Sequence, residues 1–329
     1  MILIVSIKDD LHALAVQDRI RSTSDRPCHV IESDDLIDSS GFDWARPDAD
    51  GAGRILLPAR GGVAVDLADA RVVWWRRASF PQIGEDEAYS DRSAFLSGEW
   101  RSALLGAFLT GFTGSWISDQ ERTRTASNKL LQLSAAAQLG WMIPATLVSQ
   151  DAARIHAFCA GAPGQRVIAK SLTATRGRTM AAIALTPPDL EQADLTMCPA
   201  IYQHFIPGTR HLRINCFGER IAAFAIETEV MDWRRDHAAR MTPHPLDSRT
   251  SELCLGLIEK LGLEMGVLDA KLLDNGDICF LEVNPQGQFL FLEGATGVDL
   301  TGLCAAFLLE RADAAAATTG ARRPHTAAV

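Results

Sequence analysis

At 329 residues, 47% of them hydrophobic, the chain is long enough for two or three packed lobes with sizeable cores. Its formal charge of −9 and pI near 5.4 argue against a nucleic-acid backbone as the main partner, because such proteins present a basic face. The seven cysteines are scattered without a C-x-x-C pair and several sit in apolar runs, which suggests reduced, mostly buried thiols in a cytoplasmic protein rather than a disulfide framework or zinc site.

Residues 1–7 read as an apolar strand, since the run is too short and lacks the basic lead of a signal peptide; no later run is long enough to span a membrane. Asp9 or Asp10 caps a helix with Leu11, Leu14 and Ala15 on its inner face, and 29–32 is a second strand, so the opening is β-α-β. Strands at 54–58, 62–67 and 72–77 and a helix at 95–110 complete a first lobe, with a boundary near Asp119. Trp74-Trp75-Arg76-Arg77 reads as buried strand core with its arginines paired to acids. A helix over 125–139 stops at Gly140, 166–172 alternates as a strand carrying Lys170, and 173–178 is a polar loop with Arg176 and Arg178. A strand at 200–206, a hairpin over 212–227 turning at Gly218, and helices at 251–261 and 300–311 follow, before an Ala/Thr-rich tail that reads as disordered.

The densest chemistry lies in GVLDAKLLDNGDICFLEVNPQGQFLFLE, residues 266–293. Asn275-Gly276 predicts a two-residue type I′ turn, which places Asp269 opposite Glu282, with Asn284 on the same face. Two facing carboxylates and an amide oxygen form a hard-oxygen set suited to Mg²⁺ or Mn²⁺, which usually completes its shell with water and phosphates. The other reading is a solvated edge hairpin, against which the apolar neighbours Phe280, Leu281 and Val283 argue. No Walker loop is present, so phosphates would fall to Lys129, Lys170, Arg176 and Arg213. Lys170 is a lysine in an apolar strand, either meeting an anion or snorkelling at an edge, and Arg213 is also open to a surface ion pair with Glu227.

Taken in order, Lys129, Lys170, Gln203 to Ile206, Arg213, Asp269, Glu282 and Asn284 resemble the constellation of the ATP-grasp ligases. That resemblance implies an α/β plus α+β chain divided into a pre-grasp lobe (1–118), a central lid domain (119–200) and a C-terminal domain carrying the metal hairpin (201–312), with a tail at 313–329. It also implies phosphate-binding Lys129 and Lys170, an adenine hinge of Gln203, His204, Phe205 and Ile206, Arg213 at the reacting phosphate, and Asp269, Glu282 and Asn284 on two Mg²⁺ ions. The segments at 73–77 (VWWRR) and 126–133, Asp232-Trp233-Arg234 and Asn284-Pro285-Gln286-Gly287-Gln288 look like the graspetide (microviridin-type) peptide ligases. Their resemblance implies ATP-dependent closure of ester or amide rings on a ribosomal precursor peptide with a leader, a homodimer, and no nucleic-acid or membrane partner. Arg234 and Arg235 are candidates for gripping acidic substrate side chains, or else a solvated charge cluster. A ligase adding a free amino acid and a non-catalytic nucleotide-binding regulator are the rival readings. One departure is His211, where many ATP-grasp proteins have an acid near the ribose.

Overall fold

The computed structural model describes residues 1–37, 41–45, 54–82, 90–161, 166–173, 182–192 and 194–320, in two compact units. One unit combines Met1–Gln120 with the chain from Gln288 onward; the other is Glu121–Gly287.

The first unit opens with β1 (Ile2–Ser6), α1 (Leu11–Thr23) and β2 (Cys28–Glu32), the expected β-α-β. A small antiparallel sheet follows, β3 (Asp43–Trp44), β4 (Ile55–Ala59) and β5 (Val63–Asp66), then β6 (Val72–Trp75), α2 (Ser90–Gly111) and β7 (Ser115–Ile117). Strands β2-β1-β6-β7 form a parallel sheet, and every residue of β1 is buried, as expected of a parallel strand covered on both faces. Asp10 caps α1 by accepting from the His12 amide, but the inner face is His12, Ala13, Val16, Gln17 and Ile20 rather than the predicted Leu11, Leu14 and Ala15. Leu11 is 70% exposed. The helix buries the stripe 13, 16, 17, 20, so the apolar residue nearest the cap was a poor guide to phase.

Arg76 is fully buried against Trp74 and donates from Nε to Asp10 Oδ2 at 2.7 Å, while Ser6 donates to the same oxygen at 2.5 Å. Burial alone would raise the Asp10 carboxyl, yet the His12, Arg76 and Ser6 contacts hold it below the usual range. A folded-state value below the unfolded one stabilises the fold above the unfolded carboxylate pKa, and that stabilisation is lost on acidification. Arg76→Met leaves Asp10 buried without its cation and should destabilise the fold by about 3–5 kcal/mol, read from urea melts at neutral pH.

The second unit begins with α3 (Gln120–Ala126) and α4 (Lys129–Leu139), where one helix over 125–139 was expected. Asn128 splits it: its side chain accepts from the amides of Leu130 and Leu131 and starts α4 afresh, placing Lys129 at the first helical position. Next come β8 (Thr146–Ser149), α5 (Ala152–Ala160), β9 (Val167–Lys170), β10 (Ile183–Ala184), α6 (Pro187–Gln192) and β11 (Ala200–His204), forming a sheet of order β10-β9-β11-β8. Because β11 pairs with β8 and β9, this layer runs to His204 and not to 200. A five-stranded antiparallel sheet follows: β12 (Arg210–Phe217), β13 (Arg220–Glu227), β14 (Arg240–Pro243), then α7 (Ser248–Lys260), β15 (Met265–Leu272) and β16 (Ile278–Asn284), in the order β14-β13-β12-β15-β16. One face packs Leu212, Ile214, Leu268, Ala270, Phe280 and Val283 into a core with α4 and α7. The chain then enters the first unit as α8 (Leu290–Thr296), which sequence reading missed, and α9 (Leu300–Gly320), which packs on α1, β1, β6 and β7. The segment after Arg311 is helical through Gly320, the rest of the predicted tail lies outside the described residues, and 288–312 belongs with the first unit rather than with the β15–β16 hairpin. All seven cysteines are free thiols, five of them buried, and no helix among the described residues is long and apolar enough to cross a membrane.

Candidate active site

The face of the five-stranded sheet opposite the core carries three charged side chains in one row across three neighbouring strands. Arg213 of β12 faces Asp269 of β15, and Asp269 faces Glu282 of β16. The hairpin reaches this register by a route the sequence did not disclose. Instead of a two-residue turn, the loop closes with a Leu273 to Asp277 pair and a Gly276 amide bonded to Leu273 O, with Gly276 left-handed at φ 90°. This three-residue loop shifts the pairing by one, so that Ala270 faces Phe280. A bulge after Asp269 then takes up the extra residue at Leu281 and restores the Asp269–Glu282 pair. As a result Leu281 and Glu282 both line the same cavity.

Arg213 Nη1 donates to both oxygens of Asp269, at 2.7 and 3.0 Å, and Asn284 Nδ2 donates to Asp269 Oδ2 at 2.9 Å. Burial pushes the Asp269 carboxyl up, the Arg213 guanidinium opposes this, and the Glu282 charge adds to it. Glu282 is the looser carboxylate: its nearest cations are Lys129 Nζ at 3.8 Å and Arg234 Nη1 at 3.9 Å, beyond hydrogen-bond reach. Lys129 also donates to Ser171 O at 3.1 Å. Burial lowers the Lys170 ammonium, partly offset by Glu282. Arg234 sits in a 3-10 turn, Trp233–Arg235, that Asp232 caps; Nε bonds Asp232 Oδ1 at 2.8 Å, and these contacts outweigh burial to hold the guanidinium's pKa up. Trp233 lies over Arg213, its ring centroid 5.4 Å from the guanidinium carbon.

These groups surround a cavity of about 1010 Å³ within the second unit, lined also by Gln203, His204, Phe205 and Ile206 and by His211 and Lys271. A volume of that size holds a nucleotide with room for part of a second substrate. Gly287 packs tightly beside this site: a Cβ there would come within 2.5 Å of Val267 and 3.4 Å of Arg213 Nη2, which explains a glycine in Asn284-Pro285-Gln286-Gly287.

No family model and no curated protein matches the sequence. Solved structures do. The macrocyclase MdnC from Microcystis aeruginosa MRC, bound with precursor peptide MdnA, superposes with a TM-score of 0.81 at 25% identity, covering 94% of this chain and 99% of that one. A RiPP-associated ATP-grasp ligase from Chryseobacterium gregarium, in complex with ADP and a leader and core peptide, gives 0.79 at 24% identity over 94% and 96%. The ATP-grasp ligase PsnB, complexed with minimal precursor, Mg and ADP, gives 0.75 at 20% over 94% and 97%. The chain has the ATP-grasp fold.

Of the predicted residues, this ATP-grasp chain brings Lys129, Lys170, Gln203, His204, Phe205, Ile206, Arg234, Asp269, Glu282 and Asn284 to one cavity, with Arg213 bonded to Asp269 at its wall. Arg235, the last residue of the same turn, is the exception: it is exposed and does not line the cavity. Arg176 and Arg178 lie outside the described residues. The Asn284 amide presents nitrogen to Asp269 as placed, so service as an oxygen ligand requires a half-turn of that amide.

Lys271 and Gln132 line the same cavity, and their roles escaped sequence reading. Lys271 was legible in principle, being two positions from Asp269 and so on its face; burial brings its ammonium down to about 8. His211 faces it, and burial with the Lys271 charge takes the imidazole down to about 4, so the ring is neutral at pH 7. Gln132 reaches from α4 to the outer edge of β16: Nε2 donates to Val283 O at 2.8 Å and Oε1 accepts from Val283 N at 2.9 Å. It acts as a substitute strand, fixing the backbone between Glu282 and Asn284. Gln132→Leu orphans both Val283 groups at about 1–3 kcal/mol each, so thermal denaturation should show a clear loss of stability.

Proposed function

We propose that the protein is an ATP-dependent ligase that activates Asp or Glu side-chain carboxylates of a ribosomally made precursor peptide and joins them to Thr or Ser hydroxyls or Lys amines of that peptide. The observation that carries this reading is the Arg213–Asp269–Glu282 row, with Lys129 and Lys170 beside it in one nucleotide-sized cavity. The peptides bound to MdnC, the Chryseobacterium ligase and PsnB, and the ADP bound to the latter two, support it.

A substrate carboxylate oxygen attacks the γ-phosphorus of ATP, the bond to the ADP oxygen breaks, and an acyl phosphate forms. A hydroxyl or amine then attacks the acyl carbon, phosphate departs, and one proton is released. Lys129 and Lys170 neutralise phosphate oxygens, and Arg213, stiffened by its bonds to Asp269 and by Trp233, adds its positive charge beside the transferring phosphoryl. Arg234, anchored by Asp232 and facing Glu282, grips the incoming carboxylate. The backbone of Gln203 to Ile206 reads the adenine. Asp269 and Glu282 form a hard-oxygen pair whose mutual repulsion a divalent cation relieves, and Asn284 can complete it. Two Mg²⁺ ions held there, replaceable by Mn²⁺, supply charge neutralisation on the phosphates when bound. The same reading includes a leader-bearing peptide partner, a homodimer and a cytoplasmic setting.

The test is mass spectrometry of an acidic, Thr- and Ser-containing precursor peptide encoded beside the gene, incubated with protein, ATP and Mg²⁺. Loss of one water mass per ring supports the reading, with ADP and phosphate released in equal amounts. A gain of one amino-acid mass on adding free amino acids would assign the rival ligase chemistry. Chelating Mg²⁺ should stop ADP release altogether.

A further inference from the structure

The geometry points to Lys271 as the residue that selects the nucleotide at its sugar, donating a hydrogen bond to a sugar oxygen while His211 and the Gly208 carbonyl hold its ammonium in place. The inference rests on the nucleotide reading of the cavity and adds to it a specificity-determining contact.

Lys271 differs from the other paired cations around the cavity. Arg213 has Asp269 at 2.7 Å, Arg234 has Asp232 at 2.8 Å, and Lys129 has Glu282 at 3.8 Å. Lys271 is only 5% exposed, yet among the described residues no carboxylate forms an ion pair with it. Its Nζ donates to Gly208 O at 2.5 Å and meets His211 Nε2 at 3.0 Å, both neutral acceptors. An ammonium has three donors, so one is left for a ligand. Lysine is almost never buried without a partner, which makes an oxygen acceptor brought by the ligand the missing third contact. Because an ammonium is a donor only, His211 presents Nε2 as the acceptor and carries its proton on Nδ1.

Position decides which part of the ligand this is. Gly208 lies in the link between β11 and β12, just beyond the cavity-lining His204 to Ile206, so Lys271 stands at the hinge end. Lys129, Lys170 and Arg213 gather instead around Asp269 and Glu282, one step along β15 on the same face. Between a base at the hinge and phosphates at the carboxylates lies the sugar. The acceptor is either a ribose hydroxyl or a phosphate carried on the ribose, and the two share the chemistry of an exposed oxygen.

Calorimetric titration of the full chain with Mg²⁺ and ADP, 2′-deoxy-ADP, 3′-deoxy-ADP and ADP bearing a 2′-phosphate tests the assignment. Wild-type protein should lose at least about tenfold in affinity when the contacted hydroxyl is absent, and Lys271→Met should bind ADP and that deoxy analogue equally. A 2′-phosphate that tightens binding to wild type but not to Lys271→Met would identify phosphate as the source. His211→Gln, which keeps an acceptor for the ammonium, should retain discrimination, and His211→Leu should lose it; the wild-type comparison stands even if a variant misfolds. Equal affinity of wild type for ADP and both deoxy analogues without a gain from the 2′-phosphate, or discrimination preserved in a folded Lys271→Met, overturns the role of Lys271 while leaving the nucleotide reading intact. Failure of every adenine nucleotide to bind wild type overturns both.

Discussion

Glu282→Gln lowers the rate of ADP release by about 10²–10³, the loss typical when one preorganised charge contact is removed, while the protein keeps its fold. The carboxylate is half-buried, and its nearest cations at 3.8 and 3.9 Å are too far for hydrogen bonds, so little native stability depends on it. Its position beside Asp269 is what the proposed chemistry needs. Neutralising it leaves Lys129 and Arg234 without their shared anion and removes half of the hard-oxygen pair proposed for Mg²⁺. Steady-state ADP release with an acidic peptide, alongside a thermal melt, separates the two effects. Unchanged turnover in a folded variant contradicts the role assigned to Glu282.

Lys170→Met should also lower turnover by about 10²–10³, but with the opposite sign for the fold. Burial holds the Lys170 ammonium below its ordinary pKa, which means the native environment disfavours the charge. A folded pKa below the unfolded one costs stability at pH 7, and the cost shrinks as the pH rises toward the unfolded lysine value. An apolar side chain of similar length removes the cost, so the variant should melt at the same temperature or higher while losing activity. The same substitution at Arg213 differs, because it strands Asp269 and should destabilise the protein by about 3–5 kcal/mol. Urea titrations of the two variants under one buffer check the contrast.

How far the site could be read from sequence depends on what each inference used. Asp269, Glu282 and Asn284 were placed on one face by the period-two rule, and the structure has them there, although two departures cancel on the way. The loop is one residue longer than Asn275-Gly276 suggested, and a bulge at Leu281 compensates. Neither is visible in residue identities, because Asn-Gly serves a type I turn with a left-handed glycine as readily as a type I′ turn. Helix phase failed at α1, where Leu11 is exposed, and in α4 the apolar Leu130 and Leu131 are exposed as well. In α4 the buried face is Gln132, Leu133, Ala135 and Ala136, since Gln132 is needed inside for its bonds to Val283. A hydrophobicity count cannot anticipate a buried glutamine. Nor could it anticipate that α8 and α9 leave the β15–β16 hairpin and complete the first unit, since membership of a core depends on long-range contacts.

In the function proposed above, Asp269, Glu282 and their flanking cations hold a magnesium nucleotide. Calorimetric titration of ADP into wild-type protein and Glu282→Gln, with Mg²⁺ and again with a chelator, tests it most directly. Mg²⁺ should tighten ADP binding to wild type, and that gain should vanish in the folded variant. Equal affinities with and without Mg²⁺, or a gain that survives the loss of Glu282, would contradict the account.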